Sequence, residues 1–105
     1  MAALDAAIAR HPGEHAAFCF ELVQGEGGFQ DAPASFFEAL MEKCRAAEIA
    51  VWIDEIQTFA RMPELFAFRT LGLEDFVDVV TIGKILQGSA TLVSADYCPR
   101  PKLVA

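Results

Sequence analysis

The chain has 105 residues, is 54% hydrophobic with a mean hydropathy of +0.34, and carries a formal net charge of −7. Its 15 acidic residues against 8 basic ones exclude a surface built for nucleic acid, which needs a basic stripe. No apolar run approaches the roughly 18 residues of a membrane span, and the start lacks the basic-then-apolar pattern of a signal peptide.

So apolar a composition in so short a chain reads as a slice through the interior of a larger α/β protein. Cys19, Cys44 and Cys98 form no CxxC pair, so neither zinc-site nor disulfide spacing is present. They fit reduced thiols in a cytoplasmic protein, each acting as a small buried hydrophobe.

Residues 3–10 suit a helix with Leu4 and Ile8 on one side, and His11-Pro12-Gly13 stops it. AAFCFELV, residues 16–23, is an apolar run of strand length, and the glycines of QGEGGFQDAP make the next stretch a loop. Ser35 to Glu48 is the clearest helix. Ser35 and Glu38 match a capping box, and Phe37, Leu40, Met41, Cys44 and Ala47 recur at the spacing of one buried face. IAVWID, residues 49–54, is a second buried strand, with Trp52 expected in the core. A further helix is predicted from Pro63, a favoured first helical position, to Gly72, with Leu65, Phe66 and Phe68 as its apolar surface. VDVVTIG, residues 77–83, is a third strand and TLVSA, residues 91–95, a fourth; the Pro99-Arg100-Pro101 tail has no regular structure. Helices alternating with continuous apolar strands predict a three-layer α/β fold, a mostly parallel sheet with helices on both faces. The link around Gln87-Gly88-Ser89 is too short for a parallel crossover, so the last strand runs antiparallel.

Sites in such sheets form beyond the carboxyl ends of the strands. Three strands here end in ionisable groups: Glu21 with the GEGG loop, Asp54-Glu55, and Lys84. If these strands are neighbours, about 4.8 Å apart, one ring-sized ligand reaches all three.

Two chemistries place a carboxylate after an apolar strand. A nucleotide-binding module uses Asp54-Glu55 as a Walker B-type magnesium site, but it needs a GxxxxGK[ST] phosphate cradle upstream. GEGGFQDA, residues 25–32, contains no lysine. A pyridoxal-phosphate enzyme needs a carboxylate for the ring nitrogen, then a lysine at the next strand end to form the Schiff base and move the proton. Asp54 and Lys84 have that order.

ELVQGEGGF, the 35–48 helix, WIDEIQT, ELFAF and VVTIGK together resemble the class III (ω-type) aminotransferases, fold-type I enzymes that include 4-aminobutyrate, acetylornithine, ornithine and lysine 6-aminotransferases. The family pattern runs EPVQGEGG, then DEVQTG, then a lysine after T-x-A/G, and residues 4–95 follow it in order. The resemblance implies pyridoxal 5'-phosphate as cofactor and Lys84 as the lysine that bonds it. Asp54 would pair with the pyridine nitrogen, Gln57 with the phenolic oxygen, and Ile56 would pack on a ring face. Glu26 matches the glutamate that pairs with an active-site arginine and switches between substrates. Glu21 resembles the first glutamate of EPVQ, near the substrate entrance, and Glu55 is expected to be structural. The substrates implied are an amine or ω-amino acid and a 2-oxo acid, with no nucleic-acid or membrane partner, and the parent enzyme would be a homodimer.

The sequence departs from the pattern at several points, including a longer link over Leu73-Glu74-Asp75-Phe76-Val77-Asp78. Glu21-Leu22 replaces EP, Phe59-Ala60-Arg61-Met62-Pro63-Glu64 replaces GxGRTG with one residue fewer, and Gln87-Gly88-Ser89-Ala90 replaces a glycine pair and proline. Family members are also much longer. Residues 1–105 are therefore expected to be an internal part of the cofactor-binding large domain, without the phosphate-binding loop and small domain, and inactive alone.

Overall fold

The computed structural model describes residues 1–97; the Pro99-Arg100-Pro101 tail and Cys98 lie outside them. The described residues run α1 (Ala2–Arg10), β1 (Ala17–Phe20), α2 (Ala34–Ala46), β2 (Ala50–Asp54), α3 (Ala67–Thr70), β3 (Val79–Ile82) and β4 (Ala90–Val93). Single 3-10 turns at Glu74–Phe76 and Lys84–Leu86 flank β3. The sheet order is β1-β2-β3-β4, parallel across the first two pairs and antiparallel at the last.

The predicted helical face of α2 is the centre of the core. Phe37, Leu40, Met41 and Cys44 are buried and pack on Val51, Ile53, Val80 and Ile82 of the sheet. These strand residues share one face, because side chains alternate along a strand and paired residues project together. Phe20 stacks on Phe37 with ring centroids 6.0 Å apart.

The ends of α2 and α3 close by the same local device. At the end of α2, Glu48 takes φ 56, and the amides of Glu48 and Ile49 return to the carbonyls of Arg45 and Cys44 at 3.1 and 2.9 Å. At the end of α3, Gly72 takes φ 68, and the Gly72 and Leu73 amides return to Arg69 and Phe68 at 3.1 and 2.9 Å. This Schellman closure satisfies the last carbonyls and turns the chain back toward the sheet. Gly72 suits the left-handed position, whereas Glu48 occupies it at a conformational cost.

Three expectations are corrected. The Ser35–Glu38 capping box does not form: α2 starts after Pro33, at φ −65 and ψ 151, with no side-chain cap. Ser35 is already inside the helix there and cannot serve as its cap. The helix expected over 63–72 shrinks to Ala67–Thr70, because residues 63–66 fold back so that the Ala60 amide reaches the Leu65 carbonyl at 2.8 Å. Leu65 is consequently exposed, and Phe66 flanks the helix instead of lying in it. Trp52 is half-exposed instead of core, donating through Nε1 to Thr81 Oγ1 at 3.3 Å.

The position of Trp52 follows from the layers. The described residues place α1 and α2 side by side over the Val51–Ile53 face, joined by an exposed Lys43–Asp5 ion pair at 2.6 Å. Arg45 lies 4.6 Å above the Phe76 ring and fixes the 74–76 turn to the same layer. The opposite face, with Ala17, Cys19, Trp52, Asp54, Thr81, Thr91 and Val93, carries no helix from the described residues and is exposed or half-buried along most of its length.

Burial therefore outranks size in this helix. Met41→Ala, at a fully buried position, is expected to cost about 2–5 kcal/mol of stability. Phe36→Ala, removing a larger side chain that is 41% exposed, is expected to cost well under half as much. Denaturant midpoints of the two variants check the order.

Candidate active site

The carboxyl ends of β1, β2 and β3 meet at one rim, as their parallel register requires. β2 ends at Asp54, and the chain turns at once: Asp54 Oδ1 accepts the Ile56 amide at 2.9 Å, and the Phe59 amide reaches the Glu55 carbonyl at 2.9 Å. Such a side-chain-capped turn is favoured by aspartate, whose short carboxylate reaches its own backbone two residues on. The turn aims Gln57 across the rim, where its Oε1 accepts a hydrogen bond from Lys84 Nζ.

Gln57 is held from its other side by the GEGG loop. Gly25 is buried against it: a methyl group on Gly25 would sit 3.2 Å from Gln57 Cγ. The Gly25 amide faces both oxygens of Glu21 at 3.4 Å. Ile56 lies over the backbone just before the lysine, 3.6 Å from where a Gly83 methyl would project. Lys84 itself is exposed and adopts φ 46, a left-handed conformation that costs an L-residue about 1–2 kcal/mol.

Of the residues singled out from the sequence, Gln57 and Lys84 touch directly, and Ile56 and Glu21 border them. Asp54 is half-buried, on the open face of the sheet. Glu26 is exposed at the tip of its loop and has no hydrogen-bond partner among the described residues. Cys19 and Glu55 received no place in the site from sequence. Cys19, expected as a buried hydrophobe, is instead exposed on the same face as Asp54, which no helix among the described residues covers. Partial desolvation pushes its thiol above the ordinary range, and the Asp54 and Glu21 carboxylates push it further. Its alternation with Phe18 and Phe20 was the available signal.

Glu55 is fully buried, and its carboxylate accepts from Thr58 Oγ1 at 2.6 Å and from the Ala67 and Phe68 amides, each at 3.0 Å. Asp54 and Glu55, successive along the strand, thus point to opposite faces, one to the rim and one into the core. They cannot share a magnesium ion, and the Walker B alternative is not supported.

Comparison with known proteins agrees with this geometry. The aminotransferase class-III family model matches residues 1–101, and the chain belongs to that family. It is 44% identical over 78 residues to the 2-aminoadipate transaminase of Pseudomonas putida, covering 73% of this chain and 18% of that protein. It is 40% identical over 73 residues to the acetylornithine aminotransferase of Oceanobacillus iheyensis, covering 69% and 18%. Among solved structures, the lysine aminotransferase from M. tuberculosis in its internal aldimine form superposes with a TM-score of 0.83 at 28% identity, covering 90% of this chain and 21% of that one. The chain thus spans under a quarter of the length of these relatives. No helix among the described residues is long and apolar enough to cross a membrane.

Two outcomes follow from the site's packing and charge. Gly25→Ala is expected to cost about 1–3 kcal/mol by overpacking against Gln57, measured by chemical denaturation. Asp54→Asn removes a negative neighbour of Cys19, so its thiol should titrate lower and alkylate severalfold faster with iodoacetamide at fixed pH; an unchanged rate would separate the two groups.

Proposed function

We propose that this chain forms part of the cofactor-binding large domain of a pyridoxal 5'-phosphate-dependent aminotransferase. The whole protein would transfer an amino group between an amine or ω-amino acid and a 2-oxo acid. The observation that carries this is the meeting of Lys84 and Gln57 at the adjoining ends of β3 and β2, with Asp54 at the end of the same strand as Gln57. Membership in the class III family supports the same chemistry, as do relatives named for 2-aminoadipate and acetylornithine.

The side chains fit such a cofactor in kind and placement. Asp54 is a half-buried carboxylate on the open side of the sheet, with one oxygen accepting the Ile56 amide, a group of the kind that holds a proton on a ring nitrogen. Gln57 offers an amide to a phenolic oxygen. Ile56 supplies an apolar surface for a ring face, and Lys84 a solvent-reachable amine. When bound, the cofactor supplies an electron sink for the substrate carbon that loses its proton. Lys84 would serve as the nucleophile that attaches the cofactor and as the base that moves that proton. Glu26 and Glu21 would stand at the mouth of the site, where Glu26 would pair with a cation and so alternate between substrates of different charge.

We place the whole protein in the cytoplasm as a homodimer. Residues 1–105 alone would not retain the cofactor, since the matched segment is under a quarter of the relatives' length.

Reductive trapping tests the assignment. The intact protein is loaded with pyridoxal phosphate, treated with borohydride and mapped by mass spectrometry. The adduct is expected on Lys84, and Lys84→Arg should abolish it and lower transamination by at least about 10²–10⁴-fold. An adduct on a different lysine would overturn the reading.

A further inference from the structure

We infer that Glu55 is a positioning residue for the site, the group that fixes where Gln57 and Ile56 stand; this rests on the function proposed above. A carboxylate is costly to bury, and burial without a cation is costlier still. Glu55 is 0% exposed, and the ion pairs among the described residues do not involve it. A residue that merely filled this space would be apolar. What holds the charge there is a set of three hydrogen-bond donors, two on Oε2 (Thr58 Oγ1 and the Ala67 amide) and one on Oε1 (the Phe68 amide).

These donors lie on both sides of the segment that carries the site. Ile56 and Gln57 sit between Glu55 and Thr58, and the stretch 59–66 closes onto the carboxylate through Ala67 and Phe68. The Glu55 amide donates to Thr81 at 2.9 Å, so the anchor is continuous with the β2–β3 ladder that also positions Lys84. One side chain therefore ties the Gln57 turn to the strand pair that presents the lysine.

The donor count makes the requirement chemical. Both oxygens must accept, and the two backbone amides cannot reverse their roles. Glutamine replaces one acceptor with an NH₂ donor and sets it against at least one of these donors. Aspartate is one methylene too short to reach from the same backbone.

The test compares Glu55→Gln with Asp78→Asn in the intact protein. Asp78 is the control because its Oδ2 holds the Val51 amide at 2.8 Å, toward the other end of β2. The measurements are the release rate of pyridoxal phosphate, followed by absorbance where circular dichroism shows both variants folded, and amide hydrogen exchange over residues 55–68 of the cofactor-free protein. Glu55→Gln is expected to raise the release rate at least tenfold and to accelerate exchange at Phe59, Ala67 and Phe68. Asp78→Asn, with a comparable loss in melting temperature, should do neither. Equal release rates and equal exchange in the two variants would overturn the positioning role. If Glu55→Gln does not fold, Thr58→Val removes one donor and leaves the carboxylate; faster release supports the role and an unchanged rate overturns it. Failure of the unsubstituted protein to take up cofactor would instead count against the proposed function, and the exchange arm would still decide the role of Glu55.

Discussion

The parallel register of β1, β2 and β3 is the constraint from which the site follows. Parallel strands end on a common edge, so the residue after each strand faces the residue after its neighbour. Gln57 and Lys84 are 27 positions apart in sequence and meet because β2 and β3 run the same way with Asp54 opposite Thr81. Had β3 been antiparallel to β2, the lysine would have emerged at the far end of the sheet. Among the described residues the antiparallel strand, β4, comes after Lys84 in the chain.

That register is set up by helices that return the chain to the same edge each time. α2 and α3 end in left-handed closures that hand the chain over to Ile49 and Leu73, both buried. The core lies on one face of the sheet, under α2. The rim is therefore built from a face that is packed and a face that is open, and Asp54 and Glu55 divide between them. Adjacent carboxylates acquire different work from the pleat alone: one is available at the surface of the sheet, the other is consumed in holding the turn.

Much of this was legible in the sequence. Continuous apolar runs gave β1, β2 and β3, and the apolar spacing of Phe37, Leu40, Met41 and Cys44 gave the buried face of α2. The short link after Ile82 gave the direction of β4. The candidate site was readable because each group sits directly at the end of a strand, where sequence position and spatial position coincide. Most of what was not legible depended on partners distant in sequence. Glu55 is bonded by amides 12 and 13 residues later, at the start of the short helix that replaces the one expected from Pro63. Ser35 has the residue pattern of a cap, but Pro33 begins the helix first. Trp52 has the composition of core, yet its face is not covered by the described residues. In each case a local preference was correct as chemistry and was overruled by which neighbour arrived.

The left-handed backbone at Lys84 has a consequence for how this position tolerates change. Glycine or asparagine would fit that φ with less strain, so a redesign guided by folding free energy alone would replace the lysine. Under the function proposed for Lys84, foldability and chemistry pull on this one residue in opposite directions. The amine at this position donates to Gln57 Oε1, and the residues that would relax the backbone carry no amine. Gains in stability are thus safest sought elsewhere in the chain, at positions such as Glu48, where the same backbone conformation serves a helix end and no reacting group.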